Sequence, residues 1–165
     1  MGLFDKLFKK EPEAAPSPIL YAPVAGECVP VTEVSDPTFG QEILGKGIAI
    51  KPTEGKVLAP CDGTVEQVFD TGHAVSLTSA FGAEILIHVG LDTVELKGKH
   101  YKIHTKNGDK VKKGQLLIEF DVEAIKAAGY DVITPVVICN SDDYTTITPH
   151  TGTVTNNDPV LELEK

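Results

Sequence analysis

From Ile19 onward, short apolar or alternating runs follow one another: Glu27 to Thr32, Gly47 to Lys51, Gly63 to Phe69, His73 to Leu77, Glu84 to Val89, Leu116 to Phe120, Val132 to Ile138 and Val160 to Leu163. Gly, Pro, Asn and Asp separate them. Runs of this length with such punctuation predict strands, and together they predict an all-β sandwich or distorted barrel. One short helix is predicted from Val122 to Ala128, with Asp121 as N-cap and Gly129 as the stop.

Two runs are close enough to form a hairpin. His73 opens the first and His88 closes the second, with Ser79-Ala80-Phe81-Gly82 as the turn between them. The start of the first strand then lies beside the end of the second, so the two imidazoles share one site. In the second strand Ile85, Ile87 and Val89 share one face, and Glu84, Leu86 and His88 share the other. A lone histidine at a strand end is more often a surface residue than a reactive one; the adjacency makes the pair a candidate. Thr71 is placed to offer its hydroxyl to the His73 ring. Such a pair suits metal binding, acid–base work, or phosphoryl carriage by one ring with support from the other.

A degenerate turn recurs three times: Ala22-Pro23-Val24-Ala25-Gly26, Ala59-Pro60-Cys61-Asp62-Gly63 and Thr148-Pro149-His150-Thr151-Gly152. Pro and Gly in this spacing make a turn that launches a strand. The first eighteen residues differ from the rest. In residues 1–10, Leu3, Phe4, Leu7 and Phe8 fall on one helical face, and Lys6, Lys9 and Lys10 lie elsewhere. This is either a short basic amphipathic segment resting weakly on an anionic membrane surface or a frayed solvated terminus. A Pro-rich linker to Pro18 follows, so the chain divides into segment 1–18 and a β domain, 19–165.

Composition narrows the function. The 165 residues are 41% hydrophobic and 24% charged, enough for one domain with a sizeable core. The net charge of −9 argues against nucleic acid, which needs Lys/Arg clusters, and favours basic protein partners. Cys28, Cys61 and Cys139 are widely spaced and odd in number, which reads as reduced thiols in a cytoplasmic protein. The sequence shows no secretory signal or membrane-spanning stretch.

At several segments the chain resembles the glucose-type IIA component of the bacterial phosphoenolpyruvate:sugar phosphotransferase system. They are Gly45-Lys46-Gly47-Ile48-Ala49-Ile50-Lys51-Pro52, the Pro60 turn, Thr71-Gly72-His73-Ala74, and the long run Ile87-His88-Val89-Gly90-Leu91-Asp92-Thr93-Val94-Glu95-Leu96-Lys97-Gly98. The match continues through Gly108-Asp109-Lys110-Val111-Lys112-Lys113-Gly114, Ile118-Glu119-Phe120-Asp121 and Thr134-Pro135-Val136-Val137-Ile138-Cys139-Asn140. It covers roughly Ile19 to the C-terminus. The opening Met1-Gly2-Leu3-Phe4-Asp5-Lys6-Leu7 is similar to the membrane-touching start of free-standing members, so a free-standing chain is expected.

The resemblance implies an antiparallel β-sandwich with few short helices and no cofactor. It implies that His88 accepts a phosphoryl group from the carrier protein HPr and passes it to the IIB domain of a sugar permease, with a further regulatory role in carbon metabolism. His73 would support the transfer. Thr71 and Gly90 would orient the two rings through a hydroxyl and a backbone carbonyl. Phe39, Ile43, Leu44, Phe69, Leu86 and Val94 would form a water-excluding apolar rim, of which Phe39, Phe69, Leu86 and Val94 are expected to lie exposed. Asp36 and Asp92 would form an acidic fringe. Leu86 and Val89 depart from the family pattern, standing where many members have aromatic residues.

Two other readings compete. A biotinyl- or lipoyl-type carrier domain shares the Gly108 to Leu117 strand–turn, but it needs an exposed lysine at a hairpin tip soon after, where a helix is predicted here. A zinc hydrolase needs three ligands and an open position, and no third partner for His73 and His88 is evident. His100 and His104 have i, i+4 spacing but sit in a stretch that reads as a loop, so no metal site is expected there.

Overall fold

The computed structural model describes residues 18–165. The segment 1–17, with its basic amphipathic stretch and most of the linker, lies outside the described residues. In chain order come β1 (Ile19–Tyr21), β2 (Gly26–Pro30), helix α1 (Pro37–Gly40), β3 (Lys46–Pro52), β4 (Lys56–Leu58), β5 (Gly63–Val68), β6 (Ala74–Ser79) and β7 (Glu84–His88). There follow β8 (Tyr101–Ile103), β9 (Lys110–Val111), β10 (Leu116–Phe120), α2 (Val122–Ala127), β11 (Thr134–Ile138), β12 (Thr146–Pro149), β13 (Gly152–Val154) and β14 (Pro159–Glu164).

The strands make three sheets. The largest runs β13-β2-β3-β11-β7-β6-β5-β9, and two three-stranded sheets run β1-β14-β12 and β4-β10-β8. Every pairing is antiparallel. All eight runs predicted as strands overlap one, and the helix from Val122 begins and stops as expected. The Asp121 carboxylate accepts from the Ala124 N–H at 3.0 Å, and Gly129 leaves the helix with φ 95°. Each of the three Pro-x-x-Gly turns delivers its glycine as the first residue of a strand, β2, β5 and β13.

Alternation along the central strands produces two cores. Ile48, Ile50, Ile85, Ile87, Val136 and Ile138 face the main core, where the small sheets and Ile125 of α2 cover them. The opposite face carries Val29, Ala49, Val137 and Leu86. It is covered by Val31, Val34 and Phe39 from the segment before β3, together with Leu91 and Ile133. Burying both faces of the middle strands removes apolar surface at roughly 25 cal/mol per Å² and fixes their register.

The β6–β7 hairpin is held at its two ends. At the tip, Asn140 clamps the turn: its carboxamide oxygen accepts from the Glu84 N–H at 2.8 Å and its amide group donates to the Gly82 carbonyl at 3.0 Å. At the open end Ala74 pairs with His88, and the Val89 N–H donates to the His73 carbonyl at 2.6 Å.

The stretch from His100 to His104 is not a loop, as its sequence reads. It forms β8, because Tyr101, Lys102 and Ile103 find partners in Phe120, Glu119 and Ile118 of β10. A three-residue strand carries too little alternation to announce itself; its ladder partner defines it.

Candidate functional site

His88 ends β7 on the face it shares with Leu86, beside the smaller core. His73 departs from strand logic. In an unbroken strand it would share the face of Val75, away from His88. β6 begins only at Ala74, and His73 belongs to the preceding turn, closed by the Gly72 N–H donating to the Phe69 carbonyl at 2.7 Å. Freed from alternation, its ring stands edge-on to that of His88, with centroids 5.0 Å apart and planes at 76°. The expected pairing of the imidazoles is therefore present, but His73 is no strand-edge surface residue; it is 4% exposed.

Each ring has a fixed partner. The His88 Nδ1–H donates to the Gly90 carbonyl at 2.7 Å. That leaves Nε2 with its lone pair free. Gly90 sits at φ 93°, and a Cβ there would come within 2.5 Å of the Thr93 methyl and 3.0 Å of the Asp131 carbonyl. The acceptor thus depends on glycine. The Thr71 hydroxyl hydrogen-bonds to His73 Nδ1; when the hydroxyl donates, Nε2 of His73 carries the proton.

Burial pushes the His73 imidazole down to about 4, with the neighbouring His88 adding to the effect. Burial also lowers His88, opposed by the Gly90 carbonyl and by the Asp36 and Asp92 carboxylates. Both rings are neutral at physiological pH. Asp36 caps α1, accepting from the Thr38 N–H at 2.9 Å. Asp92 is exposed in a left-handed conformation at φ 60°.

The apolar surroundings differ from expectation at three of the four residues expected to lie exposed: Phe39, Phe69 and Leu86 do not, and Val94 does. Phe39 is not exposed; it is 4% accessible, plugs the smaller core, and holds its ring 5.1 Å from that of His88. The reason is the second core itself: α1 folds over the outer face of β2, β3 and β11, and Phe39 is its inward residue. Phe69 and Leu86 are half-buried, Phe69 lying 5.3 Å from the His73 ring. Of the residues expected in the rim, Ile43 at 68%, Val94 at 47% and Leu44 at 37% are exposed. The floor beside His88 is therefore Phe39 and Leu86, and the outward rim is smaller than expected.

Sequence reasoning missed the groups that secure the segment after His88. The Thr93 hydroxyl and the Tyr101 hydroxyl both donate to the Val89 carbonyl at 2.7 Å, and the Leu91 N–H donates to the Asp131 carbonyl at 2.9 Å. Thr93 lay inside the run that carried the family resemblance. Tyr101 and Asp131 come from distant elements and gave no local signal.

Neither competing chemistry finds its residues. Among the described residues no group of three or more His, Cys, Asp or Glu side chains could hold a metal ion. His104 is taken by Glu119 at 2.7 Å. After β10 the chain enters α2, so the lysine-bearing hairpin tip of a biotinyl or lipoyl carrier is missing, and Lys126 lies on the helix. Cys28 and Cys61 are buried and Cys139 is exposed, all three as free thiols.

The comparisons with known proteins converge. The family model described as phosphoenolpyruvate-dependent sugar phosphotransferase system, EIIA 1, matches residues 18–144. The PTS system beta-glucoside-specific EIIBCA component of Dickeya chrysanthemi is 51% identical over 145 residues, 87% of this chain but 23% of that protein. The chain thus spans less than a quarter of that relative's length. The PTS system glucose-specific EIIA component of Haemophilus influenzae is 39% identical over 166 residues, covering 100% of both chains. Among solved structures, the glucose permease IIA from Mycoplasma capricolum superposes with a TM-score of 0.80 at 30% identity, covering 87% of this chain and 93% of that one. With the family model spanning most of its length and an antiparallel sheet presenting two neutral, edge-on histidines, the chain belongs to the EIIA 1 family of the phosphoenolpyruvate-dependent sugar phosphotransferase system.

Proposed function

We propose that this chain is a phosphocarrier in sugar uptake, with His88 as the phosphoryl acceptor and His73 as its support. The observation that carries this reading is the His88 Nδ1–H donated to the Gly90 carbonyl, which leaves Nε2 as a neutral nucleophile 5.0 Å, ring to ring, from His73. In the first transfer the His88 Nε2 lone pair attacks the phosphorus of a phosphohistidine on HPr. The N–P bond of the donor breaks as the new N–P bond forms, and the donor imidazole leaves with the electron pair. In the second transfer a cysteine thiolate of the permease IIB domain takes the phosphoryl group, and His88 returns to neutral imidazole. The His73 Nε2–H donates to a phosphoryl oxygen, and its tautomer comes from the Thr71 hydroxyl. Because neither ring bears a charge, the rings themselves offer the incoming phosphoryl group no cation that would trap it. This suits a carrier that must release what it receives.

Ile43, Leu44 and Val94 are the outward apolar contacts for both partners, with Phe69 and Leu86 at their inner edge. Asp36 and Asp92 steer basic surfaces toward the site. The chain works in the cytoplasm; among the described residues no helix is long and apolar enough to cross a membrane. Residues 1–10 make a weak, peripheral membrane contact, separated by the linker to Pro18 from the β domain 19–165. The test is phosphoryl transfer from phosphoenolpyruvate with and without the upstream carrier proteins. Label that appears only with the carriers, and that is labile in acid but stable in base, is the expected result. Label without them, or an acid-stable adduct, would overturn the reading.

A further inference from the structure

Tyr101 reaches the histidines from a different sheet. It opens β8 opposite Phe120 of β10, and the two rings stack at 6.5 Å with planes 27° apart. Its hydroxyl donates to the Val89 carbonyl at 2.7 Å. Its Cβ lies against Gly72, where an added methyl would fall 2.8 Å away. Val89 follows His88 and Gly72 precedes His73, so one side chain touches both segments that carry the imidazoles.

The Val89 carbonyl lies in the peptide plane that joins Val89 to Gly90. Rotation of that plane carries Gly90 with it, and the Gly90 carbonyl is the acceptor that sets the His88 tautomer. Thr93 holds the same Val89 oxygen at 2.7 Å. A buried phenol hydroxyl needs a partner, and here that partner is the backbone of the reactive segment.

We propose that Tyr101 is a positioning residue: its hydroxyl on Val89 and its ring on Gly72 hold the Gly90 carbonyl, and through it the His88 tautomer, in register with the His73 turn. The kinetic consequence rests on the phosphocarrier reading; the tautomer does not. Tyr101→Phe keeps the ring, the Gly72 contact and the Phe120 stack, and deletes only the hydroxyl. Phosphoryl acceptance by this variant should slow about 2- to 10-fold, the worth of one such hydrogen bond. In ¹⁵N NMR of the unphosphorylated protein, the His88 nitrogens should move from a single Nδ1–H form toward a mixture of tautomers. Phe120→Leu is the control, because it loosens β8 but leaves the hydroxyl in place. It should lower the melting temperature without moving the His88 nitrogens. Wild-type His88 shifts in Tyr101→Phe, or equal shifts in Phe120→Leu, would overturn the proposal. If the wild-type chain accepted no phosphoryl group, the phosphocarrier reading would fall, and the nitrogen shifts would still decide the role of Tyr101.

Discussion

His73 and His88 contrast with His104 and His150, which sit on the surface of the small sheets and their turns. His104 meets Glu119 at 2.7 Å and His150 meets Glu162, and all four side chains of these pairs are well exposed to water. The Glu119 carboxyl is held below its ordinary range, chiefly by the hydrogen bond to His104. Among the described residues no carboxylate hydrogen-bonds to either ring at the site. A carbonyl and a hydroxyl take that place, and burial disfavours the charged form. The same side chain is thus a hydrogen-bond partner of a carboxylate in one region and a neutral base in the other. The difference lies in the nearest oxygen and in water access. A carboxylate partner stabilises imidazolium; a carbonyl partner orients the ring and leaves Nε2 free to react.

The contrast breaks most sharply on the acceptor. His88→Ala should abolish labelling by the phosphorylated upstream carrier, whereas His104→Ala and His150→Ala should label like the parent chain. Autoradiography of acid- and base-treated samples reads this directly, and undiminished label in His88→Ala removes His88 from its role.

Next in size is His73→Gln, which keeps a hydrogen-bond donor without an imidazole. It should still accept from the carrier but pass the group on about 10²–10³-fold more slowly, the scale of a lost transition-state donor of roughly 3–4 kcal/mol. Rapid-quench measurement of onward transfer to the IIB domain checks this. Transfer at the parent rate would make His73 a packing residue.

Acid should then separate the buried pair from the rest. The folded His73 titrates near 4, below its unfolded value of 6.5, so between these limits the unfolded chain binds more protons. Stability from this group is complete above pH 6.5 and is lost as pH falls toward 4. The slope attributable to His73 is at most about 1.4 kcal/mol per pH unit. Urea unfolding across this window should show a shallower pH dependence for His73→Gln than for the parent. Parallel curves would contradict the depressed value.

The smallest effect belongs to the fringe. Asp92→Lys should slow carrier association several-fold at low salt and converge on the parent chain as salt rises, because an exposed charge acts on encounter. Initial transfer rates at two ionic strengths measure it. A salt-independent defect would place Asp92 inside the chemistry.

Much of this arrangement was legible in the chain. Alternation in Glu84 to Val89 put His88 on the correct face, the Ser79 to Gly82 turn put His73 beside it, and the Pro-x-x-Gly turns marked the starts of three strands. Phe39 was misplaced because a four-residue helix has no periodicity to show its inward side; only the outer face of β2, β3 and β11 decides it. β1, β4, β8 and β9 escaped notice for a related reason. Each is two or three residues long and is defined by its neighbour across the ladder, so Tyr101, carried on β8, could not be linked to the site by local pattern.

The Asn140 clamp has a practical side. It locks the hairpin at the tip, with its Glu84 contact four strand positions and roughly 14 Å from His88, where a Cβ on Gly82 would meet no atom within 4 Å. The separation of the two imidazoles is therefore inherited from the spacing of neighbouring strands and owes nothing to the length of the tip. A peptide tag or fluorescent module spliced between Ala80 and Gly82 should leave the histidines in place as long as Asn140 still grips the flanking backbone. Without that grip, a slip of one residue would turn His88 to the opposite side of the sheet. Asn140 is thus the anchor to preserve in any sensor built on this hairpin.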